Sequence, residues 1–101
     1  MKPNMIHQQR YRFYLDVSQE RFLSDLPQVA GLPSSFTSFS GVGMWLGQRE
    51  DSTVIELVTY DADFTLARAQ AVAEELAYVY EQEAVLVTVE TVEVTLVKSL
   101  D

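Results

Sequence analysis

Two adjacent predicted strands joined by a polar turn constrain the fold of this chain more than any other segment. The stretch Phe36–Tyr60 reads F-T-S-F-S-G-V-G-M-W-L-G-Q-R-E-D-S-T-V-I-E-L-V-T-Y. It predicts a β-hairpin with its turn at Gln48–Ser52. In the second strand Ile55 and Leu57 face one side, and mostly apolar residues face the other. Because both faces are apolar, this strand is expected at the centre of a sheet.

Three glycines, Gly41, Gly43 and Gly47, interrupt the first strand of this hairpin. Glycine weakens a strand interior, so they indicate bulges or a place where another backbone or a ligand comes close. Trp45 lies among them, and an indole favours burial with its N–H hydrogen bonded. Such residues also concentrate at interfaces, so both a core position and an interface or cleft position remain open for Trp45.

The segment before the hairpin predicts one strand and one short helix. Residues Gln9–Val17 alternate between apolar and polar side chains, which is typical of a half-buried strand. Ser18 is a candidate N-cap, and apolar spacing predicts a helix over Ser18–Leu26. Residues 1–8 are expected to be a flexible N-terminus. The lone histidine, His7, falls there, so a catalytic role for it is not expected.

A second helix is predicted after the hairpin. Asp61 and Asp63 are candidate caps at its start; binding of a hard cation is the less favoured interpretation of these two residues. The apolar positions that follow are spaced by three and four residues and form one helical stripe. This stripe consists of Leu66, Ala69, Val72, Ala73, Leu76, Val79 and Tyr80.

The last predicted element, Ala84–Val97, is fourteen residues long and rich in β-branched side chains. Its apolar alternation changes phase near Glu90–Thr91, which indicates a bulge or a break. Fully extended it would span roughly 45 Å, more than twice the common strand length. We therefore expect either two strands, or one strand whose end pairs with another subunit.

The resulting order is β-α-β-β-α-β within one domain of residues 1–101. This order predicts an α+β fold of the ferredoxin-like type, with a four-stranded antiparallel sheet and two helices on one face.

Charge and composition limit the classes of partner. Residues 1–49 hold five basic and three acidic residues, whereas residues 50–101 hold two basic and twelve acidic residues, and the net charge is −8. Direct binding to nucleic acid is not expected, because phosphates would be repelled. No apolar run reaches the roughly 20 residues of a membrane span. The absence of cysteine favours a cytoplasmic location.

Four groups of residues carry a resemblance to a known family: Ser35–Thr37, Gly41–Trp45, Glu50 with Ser52–Glu56, and Gln82–Val87. The chain resembles the PII and CutA superfamily, and more closely uncharacterised bacterial and phage PII-like proteins. The resemblance implies a homotrimer whose sheets pack together, with clefts between subunits that hold nucleotides or other small effectors. The long loop and the phosphate-gripping basic residues of PII proteins have no evident counterpart here.

Glu56 is the most informative carboxylate, because it interrupts an apolar strand face. A buried carboxylate is costly unless it is paired, and Arg10 or Arg12 is the expected partner. The pair is interpreted as structural, with a cleft-lining role as the alternative.

Glu50 is interpreted as a turn residue, and the chain has no phosphate-binding loop, nucleophile elbow or zinc-spaced cluster. We therefore expect no enzymatic activity, no cofactor and no metal.

The leading hypothesis is a homo-oligomeric PII-like protein, a trimer, that binds a small ligand or signal in a cleft between subunits. Its predicted ligand-binding residues are Phe36, Thr37, Gly41, Gly43, Trp45, Glu56 and Gln82. For Gln82, whose amide follows the second helix, capping of that helix end is the alternative to a ligand contact. The alternative hypothesis is an acidic protein–protein inhibitor, conceivably phage-encoded, that occupies a basic surface of its target. An enzyme that uses Glu56 or Asp63 is a weaker third option.

Overall fold

The residues that the structure describes form a four-stranded antiparallel sheet with two helices packed on one face. The computed structural model describes residues 6–26, 29, 31–33, 35–59 and 61–100, with side chains from Gln8 onward. Its elements are β1 (Ile6–Leu15), α1 (Gln19–Asp25), β2 (Thr37–Trp45), β3 (Gln48–Thr59), α2 (Leu66–Val79) and β4 (Leu86–Val94). The strand order is β2-β3-β1-β4, and each neighbouring pair is antiparallel. The predicted α+β ferredoxin-like fold is confirmed.

The hydrophobic core lies between the sheet and the helices. Alternate residues of β1 point into it, and the Phe13 side chain is fully buried at 0% exposure. The predicted alternation of β1 and the central position of β3 are therefore confirmed. The buried core side chains are Tyr11, Phe13, Leu15, Val17, Phe22, Val29, Ile55, Leu57, Phe64, Ala69, Val72, Ala73, Leu76 and Tyr80. We call the opposite side of the sheet, which neither described helix covers, the open face.

Hydroxyl side chains cap both helices. Ser18 Oγ accepts a hydrogen bond from the Arg21 N–H at 3.2 Å, as predicted for α1. The cap of α2 is Thr65, so the prediction that Asp61 or Asp63 caps this helix is wrong. Asp61 Oδ1 instead accepts from the Asp63 N–H at 2.8 Å, which forms a turn before the helix. Because a short carboxylate side chain readily stabilises such a turn, the helix begins later than predicted.

The hairpin turn consists of Leu46 and Gly47, with φ angles of 51° and 78°. Two central residues with positive φ are the pattern of the tight two-residue turns that match strand twist. The predicted turn, Gln48–Ser52, lies instead in β3 and pairs with β2. Gly41 and Gly43 occupy regular positions in the ladder, so the bulges expected there are absent from the described β2. Tyr60, the predicted end of the hairpin, lies outside the described residues.

β1 and β4 pair over a longer stretch than predicted. Residues 6–8 belong to β1 and pair with residues 94–92, so for this part the prediction of a flexible N-terminus is wrong; residues 1–5 lie outside the description. The predicted bulge at Glu90–Thr91 is also wrong, because pairing is continuous through both residues. Val87 and Val89 point towards the helices. Val92 and Val94, further along the strand, point towards the open face instead. Val87 packs against the core whereas Val89 is 38% exposed, so the cover on the helix side decreases along β4 before the apolar phase changes.

Beyond Val94 the chain leaves the sheet, and residues 95–100 are exposed and lie in no strand. Neither described helix is long and apolar enough to cross a membrane.

Candidate functional site

A cleft of about 630 Å³ lies at the end of the sheet where the β2–β3 hairpin extends beyond β1. One wall is this hairpin, and the opposite wall is the connection from α2 to β4. The lining residues are Tyr14, Leu15, Asp16, Gly43, Met44, Trp45, Glu50, Ser52, Glu81, Gln82, Glu83, Ala84 and Leu86. Residues from all four described strands and one connection thus meet at a single concave surface, as in a ligand site.

The α2–β4 connection is held by a helix-ending motif. The Gln82 N–H donates to the Ala77 carbonyl at 2.8 Å, and the Glu81 N–H donates to the Tyr78 carbonyl at 3.4 Å. This pair of bonds is the Schellman pattern, which needs a left-handed residue, and Glu81 has φ 56°. A non-glycine residue in this conformation is strained, and such strain often accompanies a functional site.

Tyr80 anchors the same connection to the core. Its side chain is 1% exposed, and its hydroxyl donates to the Phe22 carbonyl at 2.8 Å. Burial raises the pKa of Tyr80 to about 12, with a smaller contribution from Asp25. The start of the connection therefore has little freedom to move relative to α1.

Gln82 links the connection to the end of β1. Its amide Nε2 donates to the Tyr80 carbonyl at 3.0 Å, and its Oε1 accepts from the Asp16 N–H at 3.0 Å. The interpretation of Gln82 as a helix-end cap is confirmed. The same bonds fix one side of the cleft, because both Gln82 and Asp16 line it.

The cleft is acidic. Four carboxylates line it, from Asp16, Glu50, Glu81 and Glu83, and none of its described lining residues is basic. A side-chain hydrogen bond to Asp16 raises the pKa of Glu50, and the negative charge of Asp16 adds to the effect. Two carboxyl groups can share a hydrogen bond only when one holds a proton. The local field thus favours a cationic or neutral ligand over an anionic one.

Bare backbone and an exposed indole lie side by side on the open face at this end of the sheet. A side chain added at Gly41 would meet no atom within 4 Å, and one at Gly43 would meet only the Glu50 carbonyl oxygen, at 3.9 Å. Trp45, two residues beyond Gly43 on the same face, is 69% exposed. A flat backbone floor beside an aromatic wall suits a planar ring system.

The structure brings only part of the predicted site together. Gly43, Trp45 and Gln82 line the cleft, and Gly41 adjoins it on β2. Phe36 packs against the core, with its ring 6.2 Å from that of Phe22.

The two remaining predicted site residues, Thr37 and Glu56, lie opposite each other on the open face. Gly43 follows Thr37 by six positions along the strand, which corresponds to about 20 Å. Neither residue reaches the cleft within one chain.

Glu56 instead belongs to an ion-pair network on the open face. Its Oε1 lies 2.8 Å from Arg12 Nε and 3.8 Å from Arg10 Nε, and Arg10 Nη2 lies 2.9 Å from Glu90 Oε1. The hydrogen bond to Glu56 raises the pKa of Arg12. The predicted pairing of Glu56 is confirmed. The network pairs opposite charges on a sheet face that is otherwise partly apolar, although the buried Arg10 Nε has no hydrogen-bond partner among the described residues.

Sequence reasoning missed the acidic lining. Glu50 had been interpreted as a turn residue, and Asp16 only as the last polar residue of an alternating strand. Correct placement of the hairpin turn would have put Glu50 opposite Gly43 and close to the end of β1. Among the described residues no group of His, Cys, Asp or Glu is arranged to hold a metal ion.

Sequence comparison finds no matching family model and no matching curated protein. The structure aligns with a phage SAM lyase in its apo state at 20% identity and a TM-score of 0.60, covering 95% of both chains. It aligns with a phage SAM lyase in complex with S-methyl-5′-thioadenosine at 19% identity and a TM-score of 0.57, covering 88% of this chain and 90% of the other.

A third similar structure is CPII, a nitrogen regulatory PII-like protein from Thiomonas intermedia K12 bound to ADP, AMP and bicarbonate. The identity is 11% and the TM-score 0.55, with 94% of this chain and 100% of that chain covered. At such identities the similarity establishes architecture alone. The chain has the fold shared by PII-like signalling proteins and the phage SAM lyase.

Proposed function

We propose that this protein is a homo-oligomer, a trimer, that binds an adenosine-containing small molecule at the acidic cleft, with a neighbouring subunit completing the site. The observation that carries the proposal is the cleft itself. It combines four carboxylates with a bare glycine backbone and an exposed indole.

The adenosine part of the proposal is supported by two structures of the same fold. One contains S-methyl-5′-thioadenosine, and the other contains ADP and AMP. These ligands share the adenosine group and differ in what is attached at its 5′ position. The floor at Gly43 and the ring of Trp45 provide the flat apolar contact that a purine needs.

Charge then selects among adenosine compounds. Phosphates would meet the carboxylates of Asp16, Glu50, Glu81 and Glu83 without a facing cation in the described lining. S-Adenosylmethionine carries a sulfonium, an ammonium and a carboxylate group and is therefore a net cation, whereas S-methyl-5′-thioadenosine is neutral. The field of the cleft favours the first, tolerates the second and opposes ADP and AMP. The proposed ligand class is therefore S-adenosyl compounds rather than nucleotides.

The oligomeric part of the proposal is supported by the uncovered open face. Phe39, Val58 and Leu86 are exposed there, although each sits on a paired strand. If sheets of neighbouring copies meet on this face, Thr37 and Glu56 would lie at the subunit contact rather than in the cleft of their own chain. The proposed ligand contacts within one chain are Gly41, Gly43, Trp45 and Gln82, with the four carboxylates added.

The test is isothermal titration of the purified protein with S-adenosylmethionine, S-methyl-5′-thioadenosine, AMP and ADP. We expect affinity to fall in that order. The variant Glu50→Gln should weaken S-adenosylmethionine binding several-fold and leave S-methyl-5′-thioadenosine nearly unchanged. Glu74→Gln, an exposed change on α2 outside the cleft lining, is the matched control. Preference for ADP, or equal effects of both substitutions, would contradict the proposal.

A second candidate function is cleavage of S-adenosylmethionine, favoured by the coverage of both full chains in the alignment with the phage lyase. In this cleavage the bond between sulfur and the γ-carbon breaks, its electron pair stays on sulfur, and the carboxylate of the substrate bonds to the γ-carbon to give a lactone. The charge argument supports binding more directly than catalysis, because the sulfonium charge disappears as this bond breaks. Carboxylates that attract this charge stabilise the bound substrate rather than the transition state. Mass spectrometry after incubation with S-adenosylmethionine separates the two functions. Accumulation of S-methyl-5′-thioadenosine indicates a lyase, whereas unchanged ligand indicates a binding protein.

A further inference from the structure

A second recess lies at the opposite end of the sheet from the acidic cleft, on the face that the helices cover. Its volume is about 240 Å³, and it is bounded by the end of β3, the start of α2 and residues 31–33 of the α1–β2 connection. None of its described lining residues also lines the acidic cleft. The proposed function therefore leaves the second recess without a role.

The second recess has an apolar floor and a fixed wall. Leu57 and Phe64 form the floor; they belong to the hydrophobic core and are 5% and 6% exposed. Leu32, in the wall, packs against the same core. The wall is also tied to α2, because the Gly31 N–H donates to Glu75 Oε1 at 3.2 Å. The recess is therefore built on the rigid part of the domain.

Two opposite charges, those of Asp61 and Arg68, line the second recess. Both side chains are exposed, but no ion pair joins them among the described residues, so their charged atoms are more than 4.0 Å apart. Two flexible side chains of opposite charge at one recess would be expected to pair unless other contacts hold them apart.

The backbone of a single residue, Asp63, holds both charged groups. Its N–H donates to Asp61 Oδ1 at 2.8 Å, and its carbonyl oxygen accepts from Arg68 Nη1 at 3.2 Å. The guanidinium carbon of Arg68 also lies 5.3 Å from the centre of the Phe64 ring, which adds a cation–π contact. The carboxylate and the guanidinium are thus placed beside the apolar floor and kept separate before any ligand arrives.

Separated opposite charges beside an apolar surface match the chemistry of an α-amino acid. A carboxylate has several acceptor positions and a guanidinium has five N–H donors, so Asp61 and Arg68 keep bonding capacity after their contacts with Asp63. The ammonium group of the ligand can donate to Asp61, and its carboxylate can accept from Arg68 in a charge-assisted hydrogen bond. Its side chain then packs on the apolar floor.

The size of the second recess also indicates a small ligand. Its volume lies below the about 300–1,000 Å³ that is usual for drug-sized ligands. At about 30 Å³ of liquid volume for each water, it corresponds to about eight water molecules. L-Valine has a similar number of non-hydrogen atoms.

We propose that the second recess binds a free α-amino acid with a short apolar side chain, with Asp61 holding the ammonium group and Arg68 the carboxylate. This site is additional to the proposed site for S-adenosyl compounds and does not depend on it. The observation that carries it is the pair of opposite charges that Asp63 holds apart above the floor of Leu57 and Phe64.

Saturation-transfer NMR on the wild-type protein tests the ligand class with four probes. L-Valine and L-leucine carry both charges, valinamide lacks the carboxylate, and isovalerate lacks the ammonium group. We expect at least one of the two amino acids to bind. We expect valinamide and isovalerate to bind about threefold more weakly or worse than L-valine, because each loses one charged contact. No signal from either amino acid, or equal binding of L-valine and both analogues, would overturn the inference.

Two variants assign the charges. Arg68→Gln should remove the preference for L-valine over valinamide, and Asp61→Asn should remove the preference over isovalerate. Asparagine keeps an oxygen that can accept from the Asp63 N–H, so the turn before α2 should persist; an unchanged thermal unfolding midpoint checks this. Arg49→Gln on β3, an exposed change outside the second recess, is the matched control and should keep both preferences.

The outcomes separate this site from the acidic cleft. If both preferences persist in Arg68→Gln and Asp61→Asn, the second recess is not the amino-acid site and the inference is wrong, whatever the protein does with S-adenosylmethionine. If both preferences are lost in these variants while S-adenosylmethionine binding is unchanged, the protein has two independent ligand sites, as proposed.

Discussion

Glu81 offers a sharp test because it combines backbone strain with a position in the cleft. It adopts φ 56° at the end of α2, where glycine is the favoured residue. A left-handed conformation costs an ordinary residue roughly 1–2 kcal/mol, and glycine loses about 0.5–1 kcal/mol of additional chain entropy on folding. Glu81→Gly should therefore raise the free energy of unfolding by about 0.5–1 kcal/mol. For a domain of this size that is about 2–8 °C in Tm.

The assay is differential scanning calorimetry at one fixed protein concentration, since oligomers have concentration-dependent midpoints. Glu83→Gly is the control, because it removes the same charge from the same connection and Glu83 has no positive φ. We expect the control to be neutral or destabilising. Both variants should bind S-adenosylmethionine more weakly than wild type. Equal Tm shifts in the two variants would refute the strain argument.

Three further changes have defined outcomes. Tyr80→Phe should cost about 1–2 kcal/mol in urea unfolding, because the Phe22 carbonyl loses its buried donor. Because the pKa of Tyr80 is raised to about 12, the greater unfolding free energy of wild type is present below pH 10. It is lost as the pH rises towards 12. Leu76→Ala should destabilise by roughly 2–5 kcal/mol, since the side chain is fully buried. Leu46→Asn should raise the urea concentration at the unfolding midpoint, because asparagine tolerates the φ angle of 51° at this turn position better than leucine does.

Local patterns were enough to predict most of the secondary structure. The alternation of Gln9–Val17 and the helical spacing from Ala69 to Leu76 each report which side of one element is buried, and this information lies within the element. The hairpin turn was misplaced because polar residues at Gln48–Ser52 resemble a turn, whereas the real turn contains an apolar Leu46. The phase change in β4 depends on how far the helix-side cover extends along that strand, which no local pattern contains.

The site was harder to predict, because it is assembled across strands. Gly43, Trp45 and Gln82 carry individual signals, namely a strand glycine, an indole and a polar residue after a helix. Asp16 and Glu50 become neighbours only once the two-residue turn fixes the register of β3. The acidic character of the cleft, on which the proposed ligand class depends, is therefore a property of the fold rather than of any motif.

The alternative hypothesis of an acidic inhibitor stays a prediction. Binding to a basic partner that weakens steeply with salt, without any effect of adenosine compounds on thermal stability, would favour it.

The most direct test of the central claim is native mass spectrometry of the wild-type protein with S-adenosylmethionine and ADP together at equal concentration. The account predicts a closed oligomer, a trimer, that carries unchanged S-adenosylmethionine and little or no ADP. A monomer without ligand, or an oligomer loaded with ADP in preference, would contradict it.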